Sequence, residues 1–253
     1  MEAIQSKNKN KKMMFMKFAV FDVDGTLLEM AIPTDFIEWL VKRKKFPKKV
    51  LNEIQTTIRH HGSGKISWSE RGNYILNAWA EGFKGKNKKE IEEQAKEFMK
   101  EYDKIFPGSI EVMNYLKNKD YYLIAISRSF EEILEELKTK LPFDLVIGTK
   151  FEVKKGVYTG NLLNQMWGHE TKKEILLDLI KEKNLDTKKS FAFGDSDQDS
   201  FMMQEVEFPV CVQPDKELKK IAEKNNWKTF STIKEFYSEL KEKGIEKLNL
   251  KTA

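Results

Sequence analysis

The 253-residue sequence predicts an α/β protein with a mainly parallel sheet into which a helical segment is inserted. Two observations favour this fold class. After residue 106, short apolar runs alternate with segments of helical periodicity, which is typical of parallel strands joined by helices. Between residues 33 and 105, four helical segments follow one another with little strand signal, so this part is expected to form a helical unit of its own.

The charged residues are unevenly distributed along the chain. The formal net charge is +5, and residues 1–17 alone hold five lysines against one glutamate. The rest of the chain is therefore close to neutral, which argues against a polyanion-binding surface on the folded body. We expect residues 1–16 to form a disordered basic tail and expect no nucleic-acid partner. Recruitment to nucleic acid or to anionic lipid by this tail is the alternative.

Cysteine usage and hydropathy bear on the cellular compartment. Cys211 is the only cysteine, so no internal disulfide can form, which fits a reducing environment. No apolar run reaches the length of a membrane-spanning helix. The apolar stretch at residues 13–16 is too short for a signal-peptide core. These observations predict a cytoplasmic protein and do not indicate its oligomeric state.

The most informative stretch follows the first predicted strand. Residues 17–20 read as a buried strand, and Asp22 and Asp24 come directly after it. Because alternate strand residues point the same way, the two carboxylates share one side of the chain, and Gly25 then allows a sharp turn. Paired carboxylates repel each other unless a cation lies between them, and a hard cation such as Mg²⁺ suits them. The alternative is a solvated turn that closes the strand.

Helical periodicity divides the inserted segment. The predicted helices cover residues 35–45, 50–58, 67–83 and 90–105. The tryptophans and phenylalanines of the inserted segment are expected to form a small core of their own. A Gly-Ser-Gly break at residues 62–64 is a candidate for a mobile lip over a substrate, and an ordinary loop between helices is the alternative. The residues that flank this break are Arg59, His60, His61, Lys65 and Trp68. A zinc site at the paired histidines is not expected, because His169 is the only other histidine.

The remaining elements alternate along the chain. Predicted strands cover residues 121–126, 145–148, 190–194 and 209–212, with a hairpin at 151–159. Predicted helices cover residues 109–119, 129–140, 172–183, 215–224 and 232–241. Two of these helices are expected to open with capping boxes, formed by Ser129 with Glu132 and by Thr171 with Glu174.

Polar residues follow three of the predicted strands. Asp22 and Asp24 follow the first, Ser127 the second, and Asp195 a later one. In open α/β sheets, ligands bind beyond the carboxyl ends of the strands, so these side chains are expected to converge. Asp195 is expected to complete the cation site that Asp22 begins, and Asp199 to orient a ligand or a metal-bound water.

Two further side chains are candidates for phosphate binding. Ser127 is predicted to precede a helix N-terminus, and its hydroxyl either binds a phosphate or simply caps the helix. Lys172 lies in the first turn of a predicted helix, where the helix dipole disfavours a cation unless an anion lies nearby. A calcium-binding loop from Asp195 onward is excluded, because Ser200 and Val206 occupy positions that require glycine and glutamate.

In this order, the residues resemble the four motifs of the haloacid dehalogenase superfamily of phosphatases. Residues 21–26 (Phe-Asp-Val-Asp-Gly-Thr) resemble the first motif, and residues 126–129 (Ile-Ser-Arg-Ser) the second. Residues 172–176 resemble the third, with Lys172 in register, and residues 194–199 (Gly-Asp-Ser-Asp-Gln-Asp) resemble the fourth.

Two more stretches are similar to the phosphoserine-phosphatase-like subgroup, known as IB. These are residues 156–160 and residues 213–227. The resemblance implies a Rossmann-like catalytic core formed by residues 17–32 and 106–253, with a helical cap at residues 33–105. It also implies a Mg²⁺-dependent phosphatase that acts on a small soluble phosphate ester through an aspartyl-phosphate.

The resemblance further implies a role for each motif residue. Asp22 would be the nucleophile, and Asp24 the general acid and base. Mg²⁺ would be held by Asp22, the backbone carbonyl of Asp24 and Asp195, with support from Asp199. The catalytic and phosphate-binding set would be completed by Gly25, Thr26, Ser127 and Lys172.

The sequence departs from phosphoserine phosphatases at three places. Gly25 replaces the usual serine, and Arg128-Ser129 replaces Gly-Gly. Ala31 stands where a glutamate would bind the substrate amine, with Glu29 two positions earlier. The phosphatase prediction survives these changes, but the phosphoserine prediction does not. Arg128 either binds an anionic group of the substrate or points to solvent, and we favour the second.

Two other functions remain compatible with these motifs. A phosphotransferase or mutase would use the same aspartyl-phosphate but pass the phosphoryl group to a hydroxyl other than water. A non-catalytic protein that binds a phosphorylated ligand would keep the fold without the reaction. The presence of all the motif carboxylates, with Ser127 and Lys172, favours an enzyme.

Overall fold

The computed structural model describes residues 15–29, 31–164, 166–168 and 170–250. Residues 1–14 of the predicted basic tail and His169 lie outside the described residues. In chain order, the strands are β1 (Met16–Phe21), β2 (Tyr122–Phe130), β3 (Leu145–Thr149), β4 (Phe151–Lys154), β5 (Val157–Leu162), β6 (Leu185–Gly194), β7 (Phe208–Val212) and β8 (Thr229–Phe230).

Helices connect most of these strands. They are α1 (Ile32–Lys42), α2 (Lys48–Gly62), α3 (Trp68–Phe83), α4 (Lys88–Glu101), α5 (Ser109–Lys117), α6 (Glu131–Leu137), α7 (Thr171–Lys183), α8 (Ser200–Met203), α9 (Lys216–Asn225) and α10 (Ile233–Lys243). Short 3₁₀ turns cover Asp197–Asp199 and Ile245–Lys247. Within the described part of the chain, no helix combines the length and the apolar character needed to cross a membrane.

Six strands form one parallel sheet in the order β3-β2-β1-β6-β7-β8. Every neighbouring pair in this sheet is parallel. β4 and β5 pair separately as an antiparallel hairpin, as predicted. The mainly parallel α/β fold predicted from the alternating pattern is therefore confirmed.

The central strand β1 is buried on both faces. Ala19 and Phe21 pack into the core on one side of the sheet, and Phe18 and Val20 pack into the core on the other. This alternation explains why the strand reads as a continuous apolar run instead of a half-polar one. Helices α5, α6 and α10 contribute to the first core, whereas α7, α8 and α9 contribute to the second.

Helices α1 to α4 do not form an isolated core. Phe83 of α3 is almost fully buried, and its ring centroid lies 5.2 Å from that of Phe130, 5.0 Å from that of Phe151 and 5.3 Å from that of Tyr158. These partners belong to β2 and to the β4–β5 hairpin. The prediction of a separate core was therefore wrong: apolar side chains of the inserted helices bury more surface by packing onto the sheet as well as onto each other. The assignment of residues 33–105 as a cap stays a prediction.

Local patterns misplaced several element boundaries. β2 continues through Ser127 to Phe130, so the predicted capping box at Ser129 was wrong, and α6 begins at Glu131 without a side-chain cap. Thr171 is the first residue of α7 instead of its cap. In both cases, the Ser/Thr-x-x-Glu spacing is present, but neighbouring strands or loops decide where the chain turns. The two-residue β8 is too short to show a period and was missed.

Candidate active site

The carboxyl ends of two adjacent strands bring the predicted acidic residues together. In the pairing of β1 with β6, Phe21 stands opposite Phe193, and the backbone N–H of Asp22 donates to the carbonyl oxygen of Phe193 at 3.0 Å. Asp22 and Asp195 therefore leave neighbouring strands at the same level. The predicted convergence at one edge of the sheet follows directly from this register.

A buried lysine lies among the converging carboxylates. The Nζ atom of Lys172 is 2.5 Å from Oδ1 of Asp22 and 2.6 Å from Oδ1 of Asp199. Lys172 is 2% exposed, and Asp199 is fully buried. The two carboxylates supply the anions that a lysine in the first turn of a helix requires, as the sequence indicated.

Electrostatics in this cluster favours an additional positive charge. One carboxylate oxygen each of Asp22, Asp195 and Asp199 lies within 4.8 Å of the others. Burial raises the pKa of Asp22 against the pull of Lys172. Burial, Asp22 and Asp199 together raise the pKa of Asp195 well above its usual value. Three carboxylates facing one buried ammonium form a site that a divalent cation would stabilise.

Lys172 and Asp199 hold each other in the charged state. Burial opposes the charge on Lys172, but Asp199 and Asp22 outweigh it and raise the pKa of the ammonium. Burial likewise opposes the charge on Asp199, yet Lys172 and hydrogen bonds lower the pKa of this carboxyl. Oδ2 of Asp199 accepts the backbone N–H of Asp195 at 3.2 Å and both the N–H and the hydroxyl of Ser196, at 3.0 and 2.9 Å. Asp199 therefore positions both Lys172 and the loop that carries Asp195.

Asp24 is held by a different set of donors. Its Oδ1 accepts the backbone N–H of Ile32 at 2.7 Å, and its Oδ2 accepts the hydroxyl of Ser129 at 2.6 Å. The Ser127 hydroxyl donates to the same Oδ2 at 3.5 Å and accepts the N–H of Ser129. Burial raises the pKa of Asp24 to about 6, although the Ser129 hydrogen bond opposes this rise. Such a group can exchange a proton near neutral pH.

Sequence reasoning missed Ser129 as a site residue. It was assigned to a helix cap, whereas the structure places it in β2, two positions after Ser127. Residues two apart in a strand face the same way, and this spacing was the signal available in the sequence. Ser127 itself is 1% exposed and lies within the strand, not at a helix N-terminus.

Gly25 is required by the close approach of Asp195. Its φ is +89°, and a Cβ atom built there would lie 2.5 Å from Oδ2 of Asp195. Oδ1 of Asp195 accepts the hydroxyl of the buried Thr26 at 2.8 Å. The turn after Asp24 therefore lies against Oδ2 of Asp195, and Thr26 binds Oδ1 of the same carboxylate.

The Gly25→Ala substitution should therefore destabilise the protein and weaken cation binding. The strained φ alone costs about 1–2 kcal/mol, and displacement of Asp195 adds to it. Gly64→Ala is the matched control, because Gly64 has φ +72° but a Cβ atom built there would meet nothing within 4 Å. Urea denaturation and Mg²⁺ titration should show a larger loss of stability for Gly25→Ala and a loss of Mg²⁺ affinity for that variant alone. Equal behaviour of the two variants would contradict the close-contact explanation.

The donor set fits a hard divalent cation. All the candidate ligands are oxygen atoms, which Mg²⁺ prefers. Among the described residues, none donates a hydrogen bond to Oδ2 of Asp22 or to Oδ2 of Asp195, so one oxygen of each stays available. Asp199 has both oxygens engaged by protein donors. These contacts suit direct ligation by Asp22 and Asp195, with Asp199 in a supporting position.

A cavity of about 480 Å³ opens above these groups. Of the predicted site residues, its lining includes Asp22, Asp24, Gly25, Arg128 and Asp195. The other predicted site residues are buried and contact the acidic groups of the site: Thr26, Ser127, Lys172 and Asp199.

The inserted helices form much of the cavity wall. His61 and Trp68 from the predicted lip line the cavity, whereas Arg59 and Lys65 are exposed elsewhere. Arg71 of α3 also lines it and was not predicted. The only sequence signal for Arg71 was its position three residues after Trp68, which places both on one face of a helix.

The preferred interpretation of Arg128 as a solvent-exposed helix-start residue was wrong. Because β2 continues past Ser127, Arg128 stays in the strand and its side chain is half-buried. Its guanidinium carbon lies 4.5 Å from the ring centroid of Trp68 and 5.4 Å from that of Trp167. Arg128 therefore belongs to the cavity wall.

A parallel α/β sheet with carboxylates, a lysine and serines gathered at its carboxyl edge defines the class of α/β enzymes whose active site lies at that edge. More specifically, the chain belongs to the haloacid dehalogenase-like hydrolases, since that family's model matches residues 19–204. The predicted superfamily and the prediction of an enzyme are confirmed by this match. The predicted resemblance to phosphoserine phosphatases is confirmed by curated relatives.

The chain is also similar to curated relatives and to solved structures. The chain is 22% identical over 207 residues to a phosphoserine phosphatase of Archaeoglobus fulgidus, and the match covers 82% of this chain but only 55% of the relative. A Bordetella pertussis Tohama I protein of unknown function superposes with a TM-score of 0.72 at 17% identity, covering 86% of this chain and 99% of that one.

A second solved structure is a phospho-aspartyl intermediate analogue of phosphoserine phosphatase. It superposes with a TM-score of 0.60 at 21% identity, covering 82% of this chain and 91% of that one. At these identities, the two structures show a shared fold and nothing beyond it.

Proposed function

We propose that this protein is a Mg²⁺-dependent phosphomonoesterase that acts on a small soluble phosphorylated metabolite through an aspartyl-phosphate. The observation that carries the proposal is the arrangement around Asp22. Lys172 holds one oxygen of Asp22 at 2.5 Å, while the other oxygen accepts no hydrogen bond from the described residues. Asp24 lines the same cavity with a pKa of about 6. This arrangement supports the proposal that Asp22 attacks and that Asp24 exchanges a proton.

In the first step, an oxygen of Asp22 attacks phosphorus while the bond between phosphorus and the ester oxygen breaks. Asp24 gives its proton to the leaving oxygen, so the alcohol departs neutral. In the second step, Asp24 takes a proton from a water molecule, and the oxygen of this water attacks phosphorus. The bond between Asp22 and phosphorus then breaks, which restores the carboxylate and releases phosphate.

The remaining residues bind and position. Asp22, Asp195 and the backbone carbonyl of Asp24 would hold Mg²⁺, which when bound offsets the charge of the phosphoryl oxygens. Lys172 fixes Asp22 and contributes positive charge beside the phosphate. Ser127 and Ser129 hold Asp24 toward the leaving group. We also propose that helices α1 to α4 act as a cap, because His61, Trp68 and Arg71 close one side of the cavity.

Cation dependence provides the direct test of this proposal. Hydrolysis of p-nitrophenyl phosphate should require Mg²⁺ and stop in EDTA. Asp195→Asn should weaken Mg²⁺ binding by at least about tenfold, measured by isothermal titration calorimetry, because it removes a charged ligand. The matched control is Asp178→Asn, on the exposed face of α7.

Four results would change the proposal. Turnover that persists in EDTA, or equal Mg²⁺ affinity in the two variants, would contradict the cation site. A labelled phosphoryl group found on an added alcohol, with little free phosphate, would assign a phosphotransferase instead. Beryllium fluoride should bind beside Asp22 in a crystal structure, and binding elsewhere would reject the nucleophile assignment.

A further inference from the structure

Two arginines meet in the wall of the cavity. Arg71 comes from the first turns of α3 and Arg128 from the end of β2, and both line the cavity that contains Asp22 and Asp24. The guanidinium carbons of Arg71 and Arg128 lie 5.8 Å and 5.4 Å from the ring centroid of the same tryptophan, Trp167. Two cationic groups from separate parts of the chain are therefore held around one aromatic ring.

The packing that places the two arginines is tight. A Cβ atom built on Gly72 would lie 2.5 Å from the Trp167 ring, so the backbone of α3 beside Arg71 rests directly on the indole. The rings of Trp68 and Trp167 have centroids 5.2 Å apart. Arg128 also lies over Trp68. These contacts preorganise the two guanidinium groups instead of leaving them free in solvent.

No described residue gives either arginine an anionic partner in direct contact. Among the described residues, no side chain forms a hydrogen bond or an ion pair with Arg71 or Arg128, and the Nε atom of each is buried without an acceptor. The aromatic rings attract the faces of the guanidinium groups but do not accept their in-plane N–H donors. Burial and the neighbouring Arg128 lower the pKa of Arg71. Burying N–H donors without acceptors costs free energy, and hydrogen bonds to a bound anion would recover it.

The acids that line the cavity do not form ion pairs with either arginine within the described residues. Asp22 and Asp199 attract Arg128 electrostatically, but both pair with Lys172. The exposed Glu29 lines the cavity, as do Asp197 and Asp215, and Asp215 caps α9. No described carboxylate is within 4 Å of either guanidinium group, so no protein anion in the described part of the chain pairs with these arginines.

We propose that Arg71 and Arg128 bind a second anionic group of the substrate, distinct from the phosphate that is cleaved. The substrate would then be a small phosphate ester that also carries a carboxylate or a second phosphate. The planar donor array of arginine matches both of these groups. This inference rests on the proposed phosphatase function, because it assumes that the cleaved phosphate lies at Asp22.

Binding of unreactive analogues tests the subsite without turnover. Phosphonates replace the cleavable ester oxygen by carbon, so they occupy the phosphate position but cannot be hydrolysed. Calorimetry with Mg²⁺ present should show 3-phosphonopropionate or propane-1,3-bisphosphonate binding at least tenfold tighter than propylphosphonate. The affinities of 3-phosphonopropionate and propane-1,3-bisphosphonate show whether the subsite prefers a carboxylate or a second phosphonate.

Variants of the two arginines locate the subsite. Arg71→Met and Arg128→Met should each reduce this preference to less than threefold and leave the affinity for propylphosphonate within threefold of wild type. Arg59→Met is the matched control, because Arg59 is an exposed arginine of α2 outside the cavity wall, and it should keep the full preference. If Arg71→Met fails to fold, Arg71→Gln removes the charge and retains a polar side chain.

Three outcomes would overturn the proposal. One is equal affinity of the wild type for all three phosphonates. Another is a preference that survives in both arginine variants. The last is an equal loss of affinity for every phosphonate, which would place the arginines on the cleaved phosphate. A protein that shows the predicted binding but hydrolyses no ester would reject the phosphatase function and keep the anion subsite, so the two failures are distinguishable.

Discussion

The Asp22→Asn variant should lose phosphatase activity almost completely, with kcat lower by about 10⁴-fold or more, as for other nucleophile replacements. An amide oxygen is a poor nucleophile, and no other described carboxylate has both a free oxygen and a place beside Lys172 in the cavity. Steady-state hydrolysis of p-nitrophenyl phosphate at saturating Mg²⁺ measures the effect. Denaturing gels after brief incubation with labelled substrate should show a phosphorylated wild type and an unlabelled variant.

The fold should survive this change. Asp22 is buried and its pKa is raised, so replacing it with a neutral side chain relieves repulsion with Asp199. Lys172 keeps Asp199 as its partner at 2.6 Å. Circular dichroism should therefore show a folded Asp22→Asn variant. Its unfolding transition in urea should be as cooperative as that of Asp178→Asn, the exposed control. Activity of Asp22→Asn within tenfold of wild type would reject Asp22 as the nucleophile.

The Lys172→Met variant should lose stability as well as activity. Removing one partner of a buried ion pair typically costs about 3–5 kcal/mol, because the remaining charge is left without compensation. Here, Asp22 and Asp199 would both lose the ammonium that lies between them. Urea denaturation without Mg²⁺ measures the loss of unfolding free energy, and added Mg²⁺ should restore part of it by replacing the missing positive charge.

The neighbouring lysine offers a close control. Lys173 lies one position along the same helix and pairs with Glu205 at 2.9 Å near the surface. Lys173→Met should change stability far less, because water compensates the partner that remains. In addition, the double variant Lys172→Met/Asp199→Asn should be more stable than Lys172→Met alone, since it removes an unpaired buried carboxylate. Equal stability of the two lysine variants would show that the buried ammonium does not hold the site together.

Much of the site could be predicted because its signals are local. The spacing of Asp22 and Asp24 after an apolar strand, with Gly25 behind them, indicated a turn at the edge of a sheet. The first-turn position of Lys172 indicated an anion nearby. Each inference used only neighbouring residues and a known backbone geometry, and the structure agrees with these placements.

Other features gave misleading or weak local signals. Ser129 has the spacing of a helix cap, but its hydroxyl donates to Asp24, 105 residues earlier in the sequence. The extension of β2 to Phe130 depends on pairing with Thr149 in β3, which the sequence around Ser129 does not show. For the same reason, Arg128 was expected in solvent although it belongs to the cavity wall.

By itself, the sequence determined the parallel α/β fold, the edge of the sheet that carries the site, and the acidic residues that converge there. Only the tertiary structure placed Arg71 and Arg128 around Trp167 and brought Lys172 against Asp22, 150 residues away. The physical reason is the distance along the chain over which each kind of interaction acts. Backbone periodicity and turn preferences act over a few residues, whereas contacts between distant side chains depend on how helices and strands pack after they form.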